Sequence, residues 1–185
     1  MIKSGTSLYS PRTVVLAGGV RSGHTVVDML CGHMGHIAIP AAELAGNDGN
    51  VYAVDVRSTA LDSLKGRLQI GHRGNIELVR GDIERLGGVP LDGDIADAVM
   101  LIDTLSLTQN RLEVVKEAVR LLKSGGVLTV VDWHPYGDTA LGPTSQMRLS
   151  EQEARSTCMV NDLKYQGKFD LGPTHYGFTL SKLVV

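Results

Sequence analysis

The chain has 185 residues, with 18 Lys and Arg against 20 Asp and Glu and a formal net charge of -2. That length suits one well-buried domain and is short for two, so residues 1–185 are read as a single domain. Basic residues are dispersed without aromatic interleaving, and no apolar run approaches the roughly 20 residues that span a bilayer, so neither nucleic-acid nor membrane partners are expected.

The N-terminus has no charged segment leading into a continuous apolar core, so no signal peptide is expected and the setting is read as cytoplasmic. Cys31 and Cys158 lie far apart, form no metal-type pair, and are read as reduced thiols, with a disulfide left open. No metal site is expected. Residues 1–9 read as a flexible arm. Ser10-Pro11 then starts a short helix to about Leu16, a capping hydroxyl followed by proline at the first helical position.

The first strand is Thr25–Asp28. After a turn containing glycines, a helix is expected over residues 36–45, and a second apolar strand ends in Val54-Asp55. Ser58–Leu68 carries Leu61, Leu64 and Leu68 on one helical face. Ile76–Val79 is a third strand, closed by Gly81-Asp82, and a turn-rich stretch runs from Gly87 to Asp94. Ala98–Ile102 is wholly apolar, suited to a strand buried on both faces. Arg111–Lys123 reads as a helix with the stripe Leu112, Val115, Val119 and Leu122, ended by Ser124-Gly125-Gly126. Val127–Val131 is the fifth strand, and a long loop runs from Trp133 to Leu149. Ser150 and Glu153 form a capping box for another helix. Tyr165–Asp170 and His175–Lys182 read as a hairpin. Five β-α alternations followed by a hairpin predict a doubly wound α/β sheet with a mixed edge.

The unit between Val26 and Asp55 carries the most information. A strand–turn–helix–strand segment brings backbone N–H groups and a helix start under part of a ligand. It also puts a carboxylate where it can take the hydroxyls of a ribose. A cofactor containing a nucleoside is therefore expected.

These residues resemble class I S-adenosylmethionine (SAM)-dependent methyltransferases, and most nearly the small UbiE-like group. The resemblance runs from about Ser10 to Leu183. It is carried by Asp28 before the glycine turn, by Val54-Asp55, by Gly81-Asp82, and by the run from Leu121 to Trp133. It implies a Rossmann-like, mostly parallel seven-stranded sheet with a C-terminal antiparallel hairpin, and SAM as cofactor. Asp28, Gly32, Gly35, Asp55, Val56, Asp82 and Ile83 are implied to hold it. Asp55 would take the ribose, Asp82 the adenine amino group, and Asp28 the methionine end or the N–H groups of the turn.

The glycine turn departs from the family pattern. The family reads acid-x-Gly-x-Gly-x-Gly; here Leu30 and Met34 replace the first and third glycines, and Gly35 comes one place later. Spacing from Leu30 also matches a dinucleotide fingerprint lacking its first glycine, so a nicotinamide-dependent oxidoreductase stays open. Asp28 argues for SAM, because a carboxylate there repels a pyrophosphate and tolerates a sulfonium and an ammonium. A non-catalytic binding or scaffold protein of the same fold is the third reading.

Methyl transfer is an in-line displacement, so positioning supplies much of the rate, and a base is needed only where the acceptor loses a proton. Asp103 after the fourth strand is the first candidate for a base or a substrate-orienting group, with a helix cap as its plain alternative, and His134 is the second. Tyr136, Arg148, His175 and Tyr176 are the remaining polar candidates for the acceptor side. A small-molecule acceptor is expected, since the Asn-Pro-Pro-Tyr and Pro-Cys motifs of nucleic-acid base methylation are absent. About twenty-five residues precede the first strand, too few for a lid, so the Trp133–Leu149 loop is expected to form the acceptor wall. A homodimer partner is a further contributor kept open.

Overall fold

The computed structural model describes residues 8–71, 74–136, 141–159 and 162–184. The expected arm at 1–9 therefore lies mostly outside the described residues, as does the middle of the Trp133–Leu149 loop. Ser10 accepts a hydrogen bond from the Thr13 N–H and Pro11 takes the first helical position, which starts α1 (Pro11–Ala17). β1 (Thr25–Met29), α2 (Ala38–Ala45) and β2 (Asn50–Asp55) form the expected strand–helix–strand unit. α3 (Ser58–Gly71) buries Leu61, Leu64 and Leu68, and β3 (Ile76–Arg80) follows. Next come β4 (Ala96–Ile102), α4 (Arg111–Leu121) and β5 (Leu122–Trp133). The Ser150–Glu153 capping box opens α5 (Glu151–Cys158), and β6 (Leu163–Asp170) and β7 (His175–Lys182) close the chain as a hairpin.

The strands form one seven-stranded sheet in the order β3-β2-β1-β4-β5-β7-β6. The first five run parallel, and β7 is antiparallel to both β5 and β6. One apolar layer, including Val14, Ala41 and Leu64, packs α1, α2 and α3 on one face; the other, including Val115, Ala154 and Phe178, packs α4 and α5 on the opposite face. From β1 the chain moves outward to β3 and then crosses back to β4. The crevice at the carboxyl ends of β1 and β4 is thus the switch point where doubly wound sheets take ligands.

Three details differ from the sequence reading. α4 stops at Leu121 instead of reaching the glycines, because Leu122 already pairs with Ala96. The register then slips so that Ala98 faces Val127, and Gly125, at φ 78°, lets the intervening residues bulge out of β5. Leu112 is exposed, while Val114, Val115, Ala118, Val119 and Leu121 form the buried face of α4. No helix separates β3 from β4 among the described residues, so the β-α alternation breaks there. The turns between them are held by buried Glu117, which accepts from the N–H groups of Gly87 and Val89.

Candidate active site

The turn after β1 begins with strain. Leu30 has φ 75°, in the left-handed region that a side chain makes unfavourable, and Gly32 and Gly35 follow at 63° and 62°. Leu30 and Cys31 both donate their N–H groups to the Val54 carbonyl, at 2.9 Å, which fixes the turn against β2. A Cβ on Gly35 would lie 2.5 Å from Leu64 Cδ1, so this glycine lets the turn pack on α3. A Cβ on Gly32 would meet nothing within 4 Å, so Gly32 borders open space. Its N–H donates to Asp55 Oδ2 at 3.1 Å.

Leu30 can be tested against two replacements. Relief of the left-handed backbone is worth about 1 kcal/mol, and a half-buried leucine contributes a similar amount by burial. Leu30→Gly should therefore leave stability within about 1 kcal/mol of the parent, whereas Leu30→Ala keeps the strain and loses the packing. Urea denaturation is expected to rank the glycine variant above the alanine one.

A cavity of about 310 Å³ opens at the ends of β1, β2 and β3, lined by Leu30, Asp55, Val56, Asp82, Ile83 and Leu107 among others. Asp55 is fully buried at its inner end. Arg57 grips it with two guanidinium bonds, Nε to Oδ1 at 3.0 Å and Nη2 to Oδ2 at 2.9 Å, and adds its own N–H. Burial pushes the Asp55 pKa up, but Arg57 and the Gly32 N–H outweigh it and hold the carboxylate below its usual value. Asp82 is exposed at the outer end and accepts from the Glu84 N–H. Val56 and Ile83 supply apolar wall between the two acids.

Asp28 does not line this cavity. It is buried behind the turn, where its Oδ2 accepts the Ala38 N–H at 3.1 Å and so occupies the start of α2. Burial pushes its pKa up to about 7; the bond from Ala38 acts the other way, and the Asp55 charge adds to the rise. Between the ordinary carboxyl value of 3.8 and about 7, the folded chain holds a proton that the unfolded chain has released. Stability from this group is therefore greatest at low pH and falls as pH rises through that window. Urea denaturation at pH 5 and pH 8 should show the decline, and Asp28→Asn, which keeps an acceptor for Ala38, should flatten it.

A second cluster sits at the ends of β4 and β5. Asp103 follows β4 with φ 55°, its N–H bonded to the Val131 carbonyl at 2.8 Å. The Tyr9 hydroxyl donates to Asp103 Oδ2 at 3.3 Å, and His175 Nε2 lies 3.3 Å from Oδ1. The His175 ring is buried between Tyr9 and Trp133, with centroids at 4.7 and 4.1 Å. Asp132, at the end of β5, accepts from the Ser106 N–H and hydroxyl and from the Trp133 N–H; burial still pushes its pKa up to about 6.

The other candidates take different places. Arg148 reaches the carbonyls of His134, Leu141 and Pro143 and stacks over Trp133, so it clamps the long loop. Tyr136 is 97% exposed. Tyr176 is buried, its ring stacked on Phe178 and edge-on to His134. His134, His175 and Tyr176 border a separate cavity of about 460 Å³ beside the β6–β7 hairpin. Both cysteines are free and buried.

Sequence reasoning passed over Tyr9, Arg57 and Asp132. Tyr9 lay at the end of the expected flexible arm, yet it is held by Asp103 and packs edge-on to the His175 ring. Arg57 and Asp132 carried no signal beyond their nearness to strand ends.

Residues 27–130, just over half of the chain, match the family described as Methyltransferase domain. The chain belongs to the class I SAM-dependent methyltransferase family. This methyltransferase-family chain is 32% identical over 134 residues to the ubiquinone/menaquinone biosynthesis C-methyltransferase UbiE of Pseudomonas entomophila; the match covers 72% of the chain and 51% of that relative. It thus spans about half the length of the curated relatives it matches. A SAM-dependent methyltransferase structure from Aquifex aeolicus superimposes with a TM-score of 0.87 at 20% identity, over 98% of this chain and 94% of that one. The [4+2]-cyclase SpnF superimposes with a TM-score of 0.78 at 15% identity, over 95% and 81%. Similarity at that level shows the shared fold alone.

The described residues fit SAM at its adenosine end. Asp55, whose oxygens are held by Arg57 and the Gly32 N–H, would accept ribose hydroxyls once Arg57 swung away; Gly32 leaves room beside it, and Val56, Ile83 and Leu107 give apolar walls. The α2 N-terminus is already occupied by Asp28, so it offers no free cradle for a pyrophosphate.

Proposed function

We propose that this chain binds SAM through the turn after β1 and the ends of β2 and β3, and methylates a small-molecule acceptor. The observation that carries the reading is the acidic carboxyl edge of the sheet, where Asp55 and Asp82 line the cavity and Asp103 stands just past the end of β4. Such an edge attracts a sulfonium and an ammonium and repels a pyrophosphate. When bound, SAM supplies a methyl group on a positively charged sulfur. Asp55 holds the ribose after Arg57 yields, Val56 and Ile83 flank the adenine, and Asp82 meets its amino group. Asp103 stands nearest the acceptor. Two free cysteines support a reducing, cytoplasmic setting.

Thermal unfolding with S-adenosylhomocysteine and with NADH tests this reading. A ligand at about 100 times its Kd adds roughly 2.7 kcal/mol, a shift of several degrees for a chain of this size. A shift with S-adenosylhomocysteine and none with NADH is expected. A shift with NADH alone would overturn the reading. No shift with either would favour a non-catalytic scaffold, with Leu30 and the Arg57–Asp55 pair closing the site.

A further inference from the structure

Asp103 is set apart from the other strand-end acids by its partners. Asp28 and Asp132 each accept backbone N–H groups and are buried, and Asp55 is gripped by Arg57. Asp103 keeps its side chain 29% exposed, and no lysine or arginine among the described residues pairs with it. Two groups face its carboxylate from behind, the Tyr9 hydroxyl and the fully buried His175 ring. Asp103 Oδ1 and His175 Nε2 are both shut off from solvent without a well-aligned hydrogen bond, although they lie 3.3 Å apart.

The facing Asp103 oxygen decides the proton's place, and the other ring nitrogen is compatible with it. His175 Nδ1 lies 2.9 Å from the Thr174 hydroxyl. A neutral ring that accepts there carries its hydrogen on Nε2, aimed at Asp103. Two lone pairs facing each other at Nε2 and Oδ1 would be repulsive, which selects the same tautomer. The backbone supports this orientation, since a non-glycine residue at φ 55° is held there by its surroundings. Burial, with Arg67 and His33, holds His36 below its usual value, while Asp103 acts on it in the opposite direction. Asp103 thus lies within electrostatic reach of the glycine turn as well as of the β4–β5 edge.

We infer that Asp103 is the proton-accepting catalytic residue, that Tyr9 and His175 are positioning residues that hold its carboxylate, and that the acceptor is a hydroxyl or a neutral amine. The inference rests on the methyltransferase reading. In the step it describes, the acceptor oxygen or nitrogen forms a bond to the methyl carbon with its lone pair. The methyl–sulfur bond breaks with its electron pair left on sulfur, and the O–H or N–H proton passes to Asp103. An acceptor that arrives already ionised, such as a thiolate, has no proton to give and gains nothing from Asp103.

The first test reads the brace without any turnover. In the full chain labelled with 15N-histidine, long-range proton–nitrogen spectra show which His175 nitrogen carries the hydrogen. The Nε2–H form is expected, with its proton resonance moved by Asp103→Asn. An Nδ1–H form, or a resonance indifferent to Asp103→Asn, would overturn the inference. The second test follows methyl transfer from radiolabelled SAM to catechol, benzylamine and thiophenol. Asp103→Asn should lower kcat for catechol or benzylamine by about 10²-fold or more, with the KM for SAM within about twofold and any thiophenol transfer unchanged. Tyr9→Phe and His175→Ala should lower kcat by less, and His175→Gln, which keeps an N–H near the Nε2 position, should restore part of it. Equal loss for all acceptors, or transfer to thiophenol alone, would sink the acceptor class. Where no acceptor turns over, the tautomer decides. Calorimetric failure of the parent chain to bind S-adenosylhomocysteine would instead defeat the methyltransferase reading, and would leave the His175 spectrum as a separate result.

Discussion

Asp55→Ala is expected to weaken S-adenosylhomocysteine binding by about 10²-fold or more in titration calorimetry. The carboxylate is the acceptor at the inner end of the cavity, and hydrogen bonds to a charged group are worth about 1.5–3 kcal/mol each. Losing two ribose bonds therefore removes roughly 3 kcal/mol or more, about two powers of ten in affinity. The change also strips acceptors from the Gly32 N–H, the Arg57 N–H and the Arg57 guanidinium. Some of the loss will consequently appear as lower stability, on the order of 2 kcal/mol in urea denaturation. Arg57→Ala separates the two effects. The Arg57 side chain is 57% exposed and its pairing must open before a ribose can enter, so its removal should tighten binding while Asp55→Ala loosens it. Unchanged binding in Asp55→Ala would move the cofactor away from the end of β2.

The largest loss of stability is expected from a residue remote from the chemistry. Glu117 is fully buried on α4, yet it accepts the N–H groups of Gly87 and Val89 at 2.7 and 3.0 Å and two guanidinium bonds from Arg120. Arg120 continues the brace to the carbonyls of Val89 and Leu91. This pair replaces the helix that would otherwise cover the crossover from β3 to β4. Breaking a buried ion pair from one side costs about 3–5 kcal/mol. Arg120 remains 26% exposed and can rehydrate, so Glu117→Ala is placed near the lower end of that range, with a Tm lowered by about 10 °C. Burial pushes the Glu117 pKa up, but Arg120 and the two N–H groups bring it below the usual 4.5. Its contribution is therefore complete above about pH 4.5 and disappears as pH falls through the lowered value. A variant within about 1 kcal/mol of the parent would show that the turns stand without it.

Features set by neighbouring residues were legible in the sequence. The strand–turn–helix–strand unit, the Ser150 capping box and the hairpin around Gly172 all follow from local periodicity and turn chemistry. The grouping of Asp55, Val56, Asp82 and Ile83, which line one cavity, was implied instead by the family resemblance. Features set by distant partners were not legible. The end of α4 depends on Leu122 pairing with Ala96, which no helix-stop signal reports. Arg148 looked like a residue for an acceptor, and its guanidinium is instead consumed by the carbonyls of its own loop. For Asp28 two readings were open, the methionine end of the cofactor or the N–H groups of the turn, and its carboxylate takes the Ala38 N–H at the start of α2. Tyr9 was hidden because its partners, Asp103 just past β4 and His175 in β7, lie far along the chain.

That last arrangement bears on the order in which the protein is made. β1 to β5 form a continuous stretch of chain, and with it the whole proposed cofactor cavity. β7, which brings His175 and closes the far side of β5, follows these strands in the chain and leaves the ribosome after them. As domains grow from the N-terminus during synthesis, the nascent chain can assemble its nucleoside cavity early. The brace behind Asp103 is completed after the cavity, because His175 follows β5 in the chain.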